Sequence, residues 1–120
     1  VHVRGGDIVG PGRAFFERAL ARMEKERSGL RYLVFTNDRE AAKEALEGEH
    51  TERKMTYISE LGAFSDIDEF FLMAACRHQI ISNSSYSTWA AYLNPNPEKV
   101  VIMPEYKGCE QIRLKEWIVL

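Results

Sequence analysis

Short, nearly unbroken apolar runs recur along this chain, separated by longer stretches of helical period. Val1 to Val3, Tyr32 to Phe35, Met55 to Ile58, Gln79 to Ile81 and Val100 to Ile102 read as strands, the second typical of a parallel strand covered on both faces. The stripe Phe16, Ala19, Leu20 and Met23 predicts a helix over Ala14 to Arg27. A second helix, from Arg39 to about Leu46, turns Ala41, Ala42, Ala45 and Leu46 inward; Asn37, with Glu40 three residues on, gives it a capping-box pattern. Ser65 and Asp68 open a third, whose apolar face is Ile67, Phe70, Phe71, Ala74 and Ala75. A fourth places Tyr86, Trp89, Ala90 and Leu93 on one side, and Asn94-Pro95-Asn96-Pro97 stops it. Ile112 to Leu120 reads as either a short helix or a strand, with Trp117 packing back on the domain.

Five strands alternating with four helices predict an α/β fold. The expectation is one Rossmann-like parallel sheet of about five strands with helices on both faces, forming a single domain over residues 1–120. In the common order 3-2-1-4-5, strands one and four are neighbours, and ligands bind outside their carboxyl ends. Two unusual polar loops would meet there: His2-Val3-Arg4-Gly5-Gly6-Asp7, and Ser82-Asn83-Ser84-Ser85 at the start of the fourth helix. Arg4 can give several charge-assisted hydrogen bonds to a phosphate. The serine turn offers hydroxyls and the free N–H groups of a helix start, so the pair suits a diphosphate. Plainer roles stand beside these. Ser84 or Ser85 can simply cap the helix, Arg4 can pair with Asp7 or a glutamate, and His2 can be a satisfied core residue. Tyr86 and Trp89 are assigned to the core.

Composition narrows the classes. The net charge of -2 provides no global basic field for nucleic acid. No apolar run reaches the roughly 18 residues of a membrane span. Cys76 and Cys109 make no disulfide framework, and Cys76 fits a small core position. His2, His50 and His78 lack metal-ligand spacing, and the latter two read as surface residues. The chain opens in mid-strand, so a segment of a longer protein is expected. Two unpaired cysteines favour the cytosol.

Several motifs carry a resemblance. His2-Val3-Arg4-Gly5-Gly6-Asp7 is similar to the H-x-R-R-G-D loop of the α-1,2- and α-1,6-fucosyltransferase group. Ile80 to Leu93, followed by Asn94-Pro95-Asn96-Pro97-Glu98-Lys99-Val100-Val101-Ile102, resembles the I-I-S-N-S-S-F-S-W-W-G-A-x-L-N-x-N-P-x-K-x-V-I block of the α-1,2-fucosyltransferases. Phe35-Thr36-Asn37-Asp38 resembles their F-S-D-D segment, and Phe71 to Cys76 their L-M-S-x-C helix.

The resemblance covers most of residues 1–104, in family order. It implies the nucleotide-binding half of a GT-B glycosyltransferase, one that moves fucose from GDP-fucose to a hydroxyl with inversion. The acceptor implied is O2 of a terminal galactoside on a glycan, and no metal or other cofactor is needed. By the same resemblance Arg4 holds the β-phosphate and stabilises the departing GDP; Asp7 can orient Arg4, cap a turn or touch the acceptor, and the orienting role is favoured. His2 lies near the base, and Asn37 or Asp38 contacts the nucleoside. Ser84 and Ser85 bind phosphate oxygens, on one turn with Ser82 and Asn83. Bacterial relatives act at the cytosolic membrane face, which leaves room for peripheral membrane association through other parts of the chain; animal relatives face the Golgi lumen. The catalytic base falls either in the loop Ser59 to Ser65 or outside this segment.

Three positions depart from the family pattern: Gly5 replaces a second arginine, Ile8 an aromatic, and Thr88-Trp89 a tryptophan pair. Losing a charged contact beside the leaving group costs on the order of 2–4 kcal/mol, roughly a hundredfold in rate. Two other readings stay open: a GT-B transferase for a different nucleotide sugar, and a non-catalytic GDP- or glycan-binding module.

Overall fold

The computed structural model describes residues 1–5, 10–48 and 52–120. Its elements follow in the order β1 (His2–Val3), α1 (Arg13–Glu26), β2 (Tyr32–Thr36), α2 (Arg39–Leu46), β3 (Met55–Tyr57), a 3-10 turn (Ile58–Leu61), α3 (Asp66–Ala75), β4 (Gln79–Ile80), α4 (Ser85–Leu93), β5 (Val101–Met103), α5 (Cys109–Ile112) and β6 (Ile118–Val119). The α/β class and parallel pairing are as expected. The single sheet of about five strands is not. Six short strands form two three-stranded parallel sheets, β1-β2-β3 and β4-β5-β6.

What separates the two sheets is one side chain. At the edge where β1 meets β4, the buried Ser82 hydroxyl donates to the His2 carbonyl at 2.6 Å and accepts the Arg4 N–H at 3.2 Å. Among the described residues no backbone ladder joins these strands; Ser82 stands where its rungs would be. The Ser82 bonds bring the ends of β1 and β4 together, but no backbone pairing makes strands one and four neighbours in one sheet among the described residues.

Alternation along the strands then sorts the core. Tyr32 and Val34 of β2, Val3 of β1, Ile80 of β4 and Ile102 of β5 pack on one face with Phe16, Ala19, Leu20 and Met23 of α1 and Ala42 and Leu46 of α2. Leu33 and Phe35 turn to the opposite face and meet Met73 and Ala74 of α3 and Ala90 of α4. Ile81, Val101 and Met103 face Ala91, Cys109 and Trp117. Contributions from both sheets to one cluster make them a single packed layer.

Two predicted helix faces are only partly right, with Phe70, Ala74, Tyr86 and Ala90 packing in the core as expected. On α3 the side facing the core carries Met73 and Ala74, whereas Ile67 and Phe71 are 69% and 60% exposed. On α4 the buried face is Ser87, Thr88, Ala90 and Ala91, whereas Trp89 is 59% exposed and Leu93 is also outside. Small side chains let α4 sit close against α3. The hydroxyls are satisfied locally, both Ser87 Oγ and Thr88 Oγ1 donating to the Ser84 carbonyl. Asn37 is not the cap of α2. Asp38 is, accepting the Ala41 N–H at 3.1 Å, while Ser65 caps α3 as predicted. The tail forms α5 and then β6 against β5, and Trp117 is buried. His78 is half-buried, its Nδ1 accepting the Val100 N–H, and Cys76 is half-buried at the end of α3. His50 lies outside the described residues.

Ser82→Ala removes a donor and an acceptor at once and leaves the His2 carbonyl and Arg4 N–H unpaired in a buried seam. It should lower unfolding stability by roughly 2–4 kcal/mol, read as a shift in the urea midpoint.

Candidate functional site

The loops after β1, β2 and β4 gather at the carboxyl ends of the strands. Gly5 is fixed by a two-way exchange with Asn37: its N–H donates to Asn37 Oδ1 at 2.8 Å, and Asn37 Nδ2 donates back to the Gly5 carbonyl at 3.1 Å. The approach is so close that a Cβ added at Gly5 would stand 2.4 Å from the Asp38 Cβ. Hence a side chain at residue 5 requires the β1 loop and Asp38 to move apart. Arg4 leaves this tied loop as a half-buried side chain. Its Nε is buried without a hydrogen-bond partner, and no carboxylate pairs with its guanidinium among the described residues.

Arg4 lines two cavities. One, of about 340 Å³, has His2, Phe35, Thr36, Asn37 and Tyr86 for walls and the carboxylates Asp66 and Glu69 on its α3 side. Ser59 steadies Glu69, its Oγ lying 3.0 Å from Oε1, and the Tyr86 hydroxyl donates to the Asp66 carbonyl. The other, of about 360 Å³, lies between the β1 loop and α2 and includes Gly10, Pro11, Gly12 and Asp38.

His2 is buried in the first cavity wall with Nδ1 unpartnered, its ring 5.5 Å from that of Tyr86. Burial above all, together with the positive charge of Arg4, pushes its pKa down to about 3. The imidazole is therefore neutral at physiological pH and has an open nitrogen to offer. Tyr86 is pushed up from its ordinary value by burial and by Glu69 and Asp66, so its hydroxyl keeps its proton.

The predicted residues are thus partly gathered. His2, Arg4 and Asn37 share one crevice, with Ser82 buried beneath it and Asp38 at its neighbour. Ser84 and Ser85 open onto a different cavity, together with Asn83. Asp7 and Ile8 lie outside the described residues. Sequence reasoning missed Thr36, Asp66, Glu69 and Tyr86 as wall residues. Only Tyr86, placed directly after the serine turn, carried a signal for it. A wider cavity, about 760 Å³ and lined by Glu24, Arg27, Tyr32 and Arg53, sits at the amino ends of the strands. Its Arg53 is already bonded to both Glu24 oxygens, at 2.8 and 3.0 Å.

An α/β chain with polar loops collected at the carboxyl ends of parallel strands has the general plan of a ligand-binding doubly wound domain. The chain belongs to glycosyl transferase family 11, whose family model matches residues 1–120. It is similar to the O-antigen biosynthesis glycosyltransferase WbnK of Escherichia coli, with 30% identity over 116 residues. That alignment covers 87% of this chain and 37% of the relative, so the chain spans well under half of the curated protein it matches. No solved structure matches it.

The site yields two expectations. Unfolded chain takes up a proton on His2 near the ordinary value of 6.5, while folded chain resists until about pH 3. The unfolded state therefore binds more protons in that window, and stability present above pH 6.5 falls as the pH drops. The His2 share is about 2 kcal/mol between pH 7 and pH 5. Urea unfolding at both values should show a smaller acid loss in His2→Gln than in the parent. Separately, Gly5→Arg should destabilise the chain by about 1–3 kcal/mol through the clash with Asp38, seen as a lower thermal midpoint.

Proposed function

We propose that this chain is the donor-binding part of a GT-B fucosyltransferase that transfers fucose from GDP-fucose, with inversion, to a galactoside hydroxyl of a glycan. The observation that carries the reading is Arg4 at the carboxyl ends of β1 and β4: its backbone is fixed by Ser82 and by the neighbouring Gly5–Asn37 exchange, and its guanidinium meets no carboxylate among the described residues. Membership of family 11 supports it. In the reaction the acceptor oxygen bonds to fucose C1 as the bond from C1 to the β-phosphate oxygen breaks. The electron pair leaves with GDP, and the acceptor proton goes to a base. Arg4 takes up charge developing on the departing diphosphate; this role calls for no metal. Neutral His2, with Asn37 and Asp38 nearby, faces the nucleoside. The O-antigen role in the name of the relative fits a cytoplasmic enzyme at the inner membrane face.

The test is calorimetric titration with GDP, using the protein at its natural length. Arg4→Ala should weaken binding at least tenfold, the loss of a hydrogen bond to a charged group being about 1.5–3 kcal/mol. Unchanged binding would refute the phosphate role. The filled space beside Gly5 supports a second reading, a module that binds GDP without transfer. Donor hydrolysis and galactoside fucosylation by the same protein separate the two.

A further inference from the structure

The first turn of α4 stands between two cavities of opposite character. Tyr86 faces the charged crevice of Arg4, Asp66 and Glu69. Ser84 and Ser85 face a cavity of about 490 Å³ whose lining contains no charged side chain among the described residues. Its walls are aromatic, from Trp89, Tyr92 and Tyr106, with Asn83, Thr88 and Gln111 among the polar groups between them. The ring of Trp89 meets that of Tyr92 edge-on at 5.5 Å, and Tyr92 stacks on buried Trp117 at 4.9 Å. The exposed indole is thus backed by a row of rings reaching into the core. Ser84 is only 9% exposed, yet it makes no capping bond and its hydroxyl takes no partner among the described residues. The residue is nine-tenths buried but its Oγ is not sealed off, so the hydroxyl can reach a ligand in the cavity that it lines.

Neutral hydroxyls and amides beside an aromatic face suit an uncharged ring with an apolar C–H side and a hydroxyl edge. They suit neither a phosphate nor a charged peptide. We propose that this cavity binds a pyranose, stacked on Trp89 with a ring hydroxyl bonded to Ser84. This deepens the transferase reading and rests on it for the use made of the sugar. It also changes the part given to Ser84, from phosphate ligand to sugar ligand. The ring comes either from the galactoside acceptor or from the fucosyl end of the donor.

Saturation-transfer NMR on the natural-length protein, with methyl β-galactoside and L-fucose as separate probes and no nucleotide present, distinguishes these sources. One of them should receive saturation and quench the fluorescence of exposed Trp89. Trp89→Ala should weaken that signal about tenfold. Ser84→Ala should weaken it several-fold, and Trp89→Phe should keep most of it. GDP affinity should stay unchanged in all three variants. No transfer to either sugar, or transfer untouched by Trp89→Ala and Ser84→Ala, overturns the proposal. A sugar signal without GDP binding would instead count against the donor-binding reading and leave the pyranose site standing.

Discussion

A shared core packs the two halves of this chain, and one hydroxyl makes the polar link at the edge where they meet. Ser82 sits where a parallel ladder would otherwise pass from β1 to β4, and it satisfies a carbonyl and an N–H of β1 with a single side chain. A backbone rung would have continued the strands. A side-chain rung stops them, because it meets the needs of His2 and Arg4 without extending β4. The chain beyond Val3 and beyond Ile81 is thereby released into loops at the same edge. The seam that joins the sheets is thus also what opens the crevice.

Much of this architecture could be read from residue pattern because it depends on local rules. Unbroken apolar runs became β2 and β5, and Ser65 with Asp68 marked the start of α3. The failures have particular causes. Asn37 and Asp38 are both good caps, and the tie was broken by a partner 32 residues away, since Asn37 is used up on Gly5. Ser87 and Thr88 look like surface residues by hydropathy, but they are buried because the carbonyl one turn back accepts both hydroxyls. That exchange rotated α4 and put Trp89 outside. On α3 apolar residues circle the helix, so no sequence stripe could say which side meets β2. β6 is two residues long and exists through its pairing with β5.

The candidate site was legible in the same uneven way. Its strand-end loops and Arg4 were visible as polar breaks after apolar runs. That the serine turn would present different sides to different cavities was not visible, because a helix start looks uniform in sequence and acquires two sides only when neighbours pack on it. The stop of α4 is another tertiary achievement. Lys99 Nζ reaches back to the Ala91 and Asn94 carbonyls, placing a cation on the negative helix end. Buried Asn94 meanwhile bonds Gln79 and the Arg77 carbonyl, locking α4 to β4.

The near-contact of Gly5 with Asp38 has a consequence for how the sequence can vary. Two sites 33 positions apart share one volume, so neither is free to drift by itself. Any side chain at the first position must push the β1 loop and the capping residue of α2 apart, so a change there is felt at the start of a helix that the sequence places far away.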